Sequence, residues 1–166
     1  TLTATNPENQ VITNIYDNLG RIKSTNNVDS GNTIFTHDNN SNIVSKTDAK
    51  GNIINYKYDS LGRPNLTDYY NDIDINYSYD DYSKIGITPP AGYDYSKGKL
   101  TVIEDGSGET IYFYDKRGRL AMHNKTIVGL YKKLGYKYGY DSADNLINFT
   151  YDSGDAVEYG YDMLGQ

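Results

Sequence analysis

The sequence predicts an all-β fold: tandem β-hairpins of about 21 residues each, joined into a continuous, twisted antiparallel sheet. Three observations carry this. An aromatic-Asp or His-Asp pair begins at Tyr16, His37, Tyr58 and Tyr79 at steps of 21 residues, and again at Tyr93, Tyr114, Tyr140 and Tyr161 at steps of 21, 26 and 21. Residues ahead of each pair alternate with period two, which is the strand periodicity. The composition of 19 Tyr against 3 Phe and no Trp supplies rings that carry a hydroxyl, suited to half-wet strands. A repeat of this length governs the architecture, because each unit must bury its face against its neighbours.

Within one unit the elements follow in order. The first strand places Ile54, Tyr56 and Tyr58 on one face and Asn55 and Lys57 on the other. The same alternation runs through Ile75, Tyr77 and Tyr79, through Tyr136, Tyr138 and Tyr140, and through Val157, Tyr159 and Tyr161, with Tyr16, Tyr112 and Tyr114 as further repeat tyrosines. A turn follows, led by Asp17, Asp59, Asp115, Asp141 and Asp162, whose carboxylates can accept from their own backbone N–H groups. Three residues on stand Gly20, Gly62, Gly118 and Gly165, where the chain needs positive φ, with Ser41, Ser83 and Asp144 as replacements. Next come Arg21, Arg63 and Arg119, or Asn42, Lys84 and Asn145, expected to pair with a nearby carboxylate or carbonyl. Six residues past the marker an apolar residue opens the second strand: Ile22, Ile43, Pro64, Ile85, Leu120 and Leu146, with Leu100 one place late after Tyr93. That strand ends at a second turn such as "TDAKGN", "VDSGN" or "YDSGD".

A lone hairpin is marginal in water, so the units must pair laterally and cover a tyrosine face. Burying one Tyr contributes at most roughly 4–6 kcal/mol by area, so a row of them can sustain a sheet without an aliphatic core. Two irregular insertions interrupt the period. Residues 84–92 contain Pro89 and Pro90, which cannot donate to a ladder, and are read as a loop or edge. Residues 122–135 carry five extra residues, read as a longer connection between strands.

"IYDNLGRI", "YKYDSLGRP", "YFYDKRGRL" and "YGYDSADNL" resemble the YD repeat, also called the Rhs repeat, from about residue 11 onward. That family includes bacterial Rhs and wall-associated proteins, the B and C components of insecticidal toxin complexes, and teneurins. The resemblance implies a β-strip spiralling into a hollow shell that, in bacterial toxin members, encloses a toxic C-terminal segment. The copy "THDNNSNIV" lacks the Gly and Arg, and the family's Asp-Pro-x-Gly cleavage site has no match. Residues 1–166 are read as one array, a piece of a longer chain that begins at Thr1 without methionine and stops at Gln166 within a motif.

The function this implies is a non-catalytic scaffold, part of a secreted or cell-surface shell that encloses or presents a toxin or effector segment. Its partners are then the remainder of its own chain, the enclosed segment, and, through open strand edges, further copies of itself. The alternative is a carbohydrate-binding or adhesion module built on exposed tyrosine rows, with a cell-surface glycan as partner. The net charge of -6, read as spread through the chain without a basic cluster, argues against nucleic acid. No apolar run is long enough to insert in a membrane. One Asp per unit at a fixed turn position speaks for capping, since acid–base catalysis needs a unique pair. With no Cys, and His37 and His123 outside any ligand spacing, neither a metal nor a cofactor is expected. "DNNSN" starts like a calcium loop, but Ile43 stands where its glycine belongs.

Overall fold

The computed structural model describes residues 1–5, 11–130 and 132–162. Apart from one 3-10 turn its regular structure is all β. The chain divides into two compact units, Thr1–Ile75 and Asn76–Gln166. In the first, β1 (Leu2–Thr5), β2 (Val11–Tyr16), β3 (Ile22–Asn27), β4 (Gly31–His37), β5 (Ile43–Thr47), β6 (Ile53–Tyr58) and β7 (Pro64–Tyr69) pair antiparallel in chain order. In the second, β8 (Ile75–Tyr79), β9 (Leu100–Asp105), β10 (Gly108–Tyr114), β11 (Leu120–Ile127), β12 (Lys132–Tyr140), β13 (Leu146–Tyr151) and β14 (Ala156–Glu158) do the same. Tandem hairpins are therefore the organising unit.

The marker turns share one geometry. Asp17 donates its N–H to the Arg21 carbonyl at 2.9 Å and Gly20 donates to the Asp17 carbonyl at 3.1 Å. The same two bonds recur from Asp38, Asp59, Asp115 and Asp141, and also from Asp48 in the second turn "TDAKGN". Gly20, Gly62 and Gly118 take φ of 77°, 76° and 75°, and Ser41 and Asp144 are held at 69° in the equivalent places. Gly165 lies outside the described residues. A Cβ at Gly62 would meet open space, so only the left-handed backbone opposes a side chain there. Gly62→Val should therefore cost about 1–3 kcal/mol, read as a lower urea midpoint; an unchanged midpoint would remove the turn assignment.

A feature the spacing did not show lies in the strand after each marker turn. The ladder slips by one residue, so that Tyr16 faces Ile22 while Ile15 faces Ser24, leaving Lys23 as a bulge. Val44, Asn65, Thr101, Ala121 and Ile147 occupy the same bulged place. A recurrent bulge adds local twist and re-aims the side chains beyond it.

The fourth and fifth copies need correction. Tyr79 pairs with Leu100, and Asp80 donates its N–H to the Lys99 carbonyl at 3.0 Å, the closing bond of a marker turn. Lys99 and Leu100 therefore hold the places expected of Lys84 and Ile85. Tyr93 begins no hairpin; it belongs to an excursion inserted into the turn after Tyr79, with Asp94 forming a lone bridge to Tyr114. A Tyr-Asp pair is a local signal, whereas strand pairing is decided by what lies across the ladder.

That excursion covers a core. The 3-10 turn Tyr82–Ile85 buries Tyr82 (4% exposed) among Val102, Ile111, Phe113 and Met122, with Ile85, Ile87 and Tyr93 packed around them. The expectation of a sheet without an aliphatic core thus fails in the second unit, because the insertion supplies apolar cover that hairpins alone lack. In the first unit the apolar strand residues Ile15, Ile22, Ile34, Ile43 and Ile53 remain exposed. The five extra residues between Tyr114 and Tyr140 also depart from expectation: they lengthen β11 and β12 rather than a loop, since the register continues from Met122↔Lys137 to Ile127↔Lys132.

Thr101, the bulged residue of β9, is fully buried, and its Oγ1 lacks a hydrogen-bond partner among the described residues. Thr101→Val keeps the shape and removes the unsatisfied hydroxyl. It should raise stability by about 1 kcal/mol in thermal unfolding, and a loss would show that Oγ1 is satisfied.

Candidate functional site

The residues singled out by spacing come together as a repeated module. The Asp17 carboxylate accepts the N–H groups of Leu19 and Arg21, each at 2.9 Å, and the Arg21 Nε at 2.6 Å. Asp59 with Leu61 and Arg63, and Asp115 with Arg117 and Arg119, repeat the arrangement. Where Arg is missing, Asn42 and Asn145 donate their side-chain amides to Asp38 and Asp141 at 2.9 Å. The backbone N–H of Arg21 or Arg63 holds Asp17 or Asp59 below the ordinary carboxylate value. For Asp38 and Asp141 the Asn side chain is the leading cause. At Asp115 burial pulls upward, and the donors from Arg119 outweigh it. These are donor-saturated caps, and a carboxylate so stabilised as an anion is a poor proton donor or base at neutral pH.

The arginines also reach forward. Arg21 donates to the Asp38 carbonyl at 2.8 Å, and Arg119 to the Asp141 carbonyl at 3.2 Å, each time into the next marker turn. The tyrosines reach backward. Tyr58 donates its hydroxyl to the Ile43 carbonyl, Tyr114 to Leu100, Tyr140 to Leu120 and Tyr161 to Leu146, at 2.7–2.9 Å. Each acceptor opens the strand after the preceding marker turn, so ring and guanidinium bind consecutive hairpins in opposite directions. Tyr16, Tyr56, Tyr77, Tyr79, Tyr112 and Tyr138 are partly buried, whereas Tyr159 is 43% exposed. Asp162 takes part in an interaction of its own.

In the second unit the aromatic side chains form a ladder across β10–β13. Tyr112, His123, Tyr136, Tyr138, Phe149 and Tyr151 have neighbouring ring centroids 4.5–6.0 Å apart. The interplanar angles run from 19° to 86°, so the rings pack against one another and do not form a flat platform. His123 lies inside this ladder, with Nδ1 3.1 Å from the Tyr138 hydroxyl, and burial pushes its pKa down. Because the folded chain disfavours the imidazolium, the unfolded state binds the proton first, and stability falls as pH drops below about 6.5. The midpoint of thermal unfolding should therefore fall between pH 7.5 and 5.5, and His123→Phe should flatten that interval; an equal slope in both would discard the assignment. Below about pH 4 the turn carboxylates, whose folded pKa is depressed, lose their contribution in turn.

Among the described residues no group of three or more His, Cys, Asp or Glu is placed to hold a metal, and no helix is long and apolar enough to cross a membrane. The expectation of evenly spread charge fails in one place. From Lys116 to Tyr140 there are seven Lys or Arg and no Asp or Glu, against a net charge of -6 for the chain. The hairpin β11–β12 lies within this stretch. Counting whole-chain charge averaged it away.

No protein-family model and no curated protein matches the sequence. Solved structures do. The chain is similar to the crystal structure of TcdB2-TccC3, with a TM-score of 0.69 and 12% identity over 99% of this chain and 11% of that one. It is also similar to that of TcdB2-TccC3-TEV, with a TM-score of 0.66 and 12% identity over 95% of this chain and 10% of that one. A third match, to the Tc holotoxin pore of Photorhabdus luminescens, covers 93% of this chain and 12% of that one at 13% identity, but its TM-score of 0.32 carries no argument. The chain spans about a tenth of the length of the solved chains it matches, and what it shares with the first two is the fold.

Proposed function

We propose that the chain is a section of a YD-repeat shell wall: a non-catalytic scaffold in a secreted or cell-surface protein that encloses or presents a toxin or effector segment. The observation that carries this is the recurrence, in both units, of one turn geometry and one bulge after the marker, with the hydroxyl-to-carbonyl tie made from Tyr58, Tyr114, Tyr140 and Tyr161. Repetition of the same contact builds a surface, whereas a catalytic centre needs groups that differ from their neighbours. The likeness to TcdB2-TccC3 supports the same reading at the level of fold. The ladder favours scaffold over a glycan platform, because its rings tilt against each other and Tyr138 faces His123.

The test is limited proteolysis of the full protein that carries this chain. A segment outside the array should resist cleavage while the array is intact and become sensitive once urea opens it. If every other segment is cut at its free rate, the wall encloses nothing. Specific retention on a glycan array, lost in Tyr151→Ala, would favour the adhesion reading instead. β1 and β14 each pair on one side only among the described residues, and the wall would continue from those edges.

A further inference from the structure

The ends of β12 and β13 do not match. β13 meets β12 from Tyr140↔Leu146 to Tyr136↔Tyr151, and then the chain turns away, with Tyr151 donating to the Asp155 carbonyl at 2.8 Å. β12 begins earlier, and Lys132–Gly135 pair only with β11, through Ile127↔Lys132 to Asn124↔Gly135. Along those four residues no strand lies on the β13 side among the described residues. An antiparallel strand directs alternate N–H and C=O groups to each of its edges, so part of this stretch faces a notch.

Two overlapping cavities meet at the notch. One, of about 230 Å³, is lined by Met122, Asn124, Gly135, Lys137, Thr150 and Asp152 among others. The other, of about 330 Å³, is lined by Lys132, Leu134 and Ser153, and shares Gly135, Tyr136, Tyr151 and Asp152 with the first. Strand alternation divides the residues that are not shared: Lys137 and its register partners Met122 and Thr150 point to one face, and Lys132 and Leu134 to the other. Gly135 keeps the notch open, since a Cβ there would stand 3.1 Å from Asp152 Oδ1 and 3.3 Å from Asn124 Oδ1.

We propose that this notch binds an extended acidic peptide, which adds as a short strand beside Lys132–Gly135. An added strand sends successive side chains to opposite faces, and the two cavities lie where those side chains would go. Charge complementarity fixes the class. Acidic side chains meet Lys137, with Lys133 beside it on the same face of β12, and apolar ones meet Leu134, Tyr136 and Tyr151 in the second cavity, with Lys132 at its end. Among the described residues the only carboxylate lining either cavity is that of Asp152, against the lysine-rich β12. The preferred ligand therefore alternates Glu or Asp with an apolar residue. This goes beyond the scaffold reading and does not depend on it.

The test is fluorescence anisotropy of the full chain with a labelled octapeptide of alternating Glu and Leu. The inference expects saturable binding, at least tenfold tighter than for alternating Lys and Leu. N-methylating either all Glu amides or all Leu amides should weaken binding at least tenfold for one of the two sets, the one facing β12. The double substitution Lys133→Glu with Lys137→Glu should weaken it tenfold in a protein whose circular dichroism is unchanged; if that variant does not fold, the peptide series alone decides. The proposal is overturned if no peptide binds, or if both N-methylated peptides bind as well as the parent. It is equally overturned if an oligo-dT competitor binds more tightly than the peptide, or if the notch is filled by a second copy, seen as peptide-blocking dimerisation in sedimentation.

Discussion

Phe113→Ala should destabilise the second unit by about 3–5 kcal/mol, the range for an aromatic truncated in a closed core. Phe113 is 3% exposed, and its ring stacks on Tyr82 at 5.4 Å between centroids. Tyr82 in turn anchors the excursion, donating its hydroxyl to the Tyr112 carbonyl at 2.7 Å, and burial raises its pKa to about 12. Removing the Phe113 ring leaves a void and one face of Tyr82 without contact, so the excursion should loosen before the sheet does. The check is a urea titration beside limited proteolysis: a large drop in midpoint with cleavage first appearing in residues 86–98. A loss below about 1 kcal/mol would mean that the excursion is not a core element.

The second large effect is expected at Gly108, which closes the turn between β9 and β10. Its φ is 137°, and a Cβ there would overlap the backbone carbonyl of Thr126 in the neighbouring strand. Gly62 offers the contrast, having positive φ but open space. Gly108→Val therefore adds steric overlap to backbone strain and should cost about 2–6 kcal/mol, more than Gly62→Val. Equal midpoints for the two variants would show that the β10–β11 ladder yields at Thr126.

Much of this architecture was legible because it is local. Tyr58, Asp59, Gly62 and Arg63 occupy one turn, and turn chemistry is written in adjacent residues. The all-β class and the hairpin unit followed from that and from period-two alternation. What escaped was decided across the ladder. Lys23, Val44, Asn65, Thr101, Ala121 and Ile147 share no side-chain chemistry, so their common bulge has no signature in composition. Tyr93-Asp94 copies the motif in sequence, yet Leu100 pairs with Tyr79 and the true turn is split by the excursion. The destination of each Tyr hydroxyl and each Arg fork could not be read either, because the acceptors are backbone carbonyls, which every residue has. Of the candidate site, the notch beside β12 depends on where β13 stops, and only the register reveals it. Its lysines were visible, and a windowed charge count would have found them.

The backward ties of Tyr58, Tyr114, Tyr140 and Tyr161 bear on how such a chain comes into being. Tyr140 needs only a carbonyl that the polypeptide has already delivered, and the strands within a unit pair with their neighbours in chain order. The forward contacts close later: Arg21 reaches the Asp38 carbonyl and Tyr82 the Tyr112 carbonyl once those strands arrive. Sheet pairing can then run like a zip fastener in the direction of synthesis, at the pace set by short loop closures. A sheet built this way gains its hairpins one after another as the chain grows.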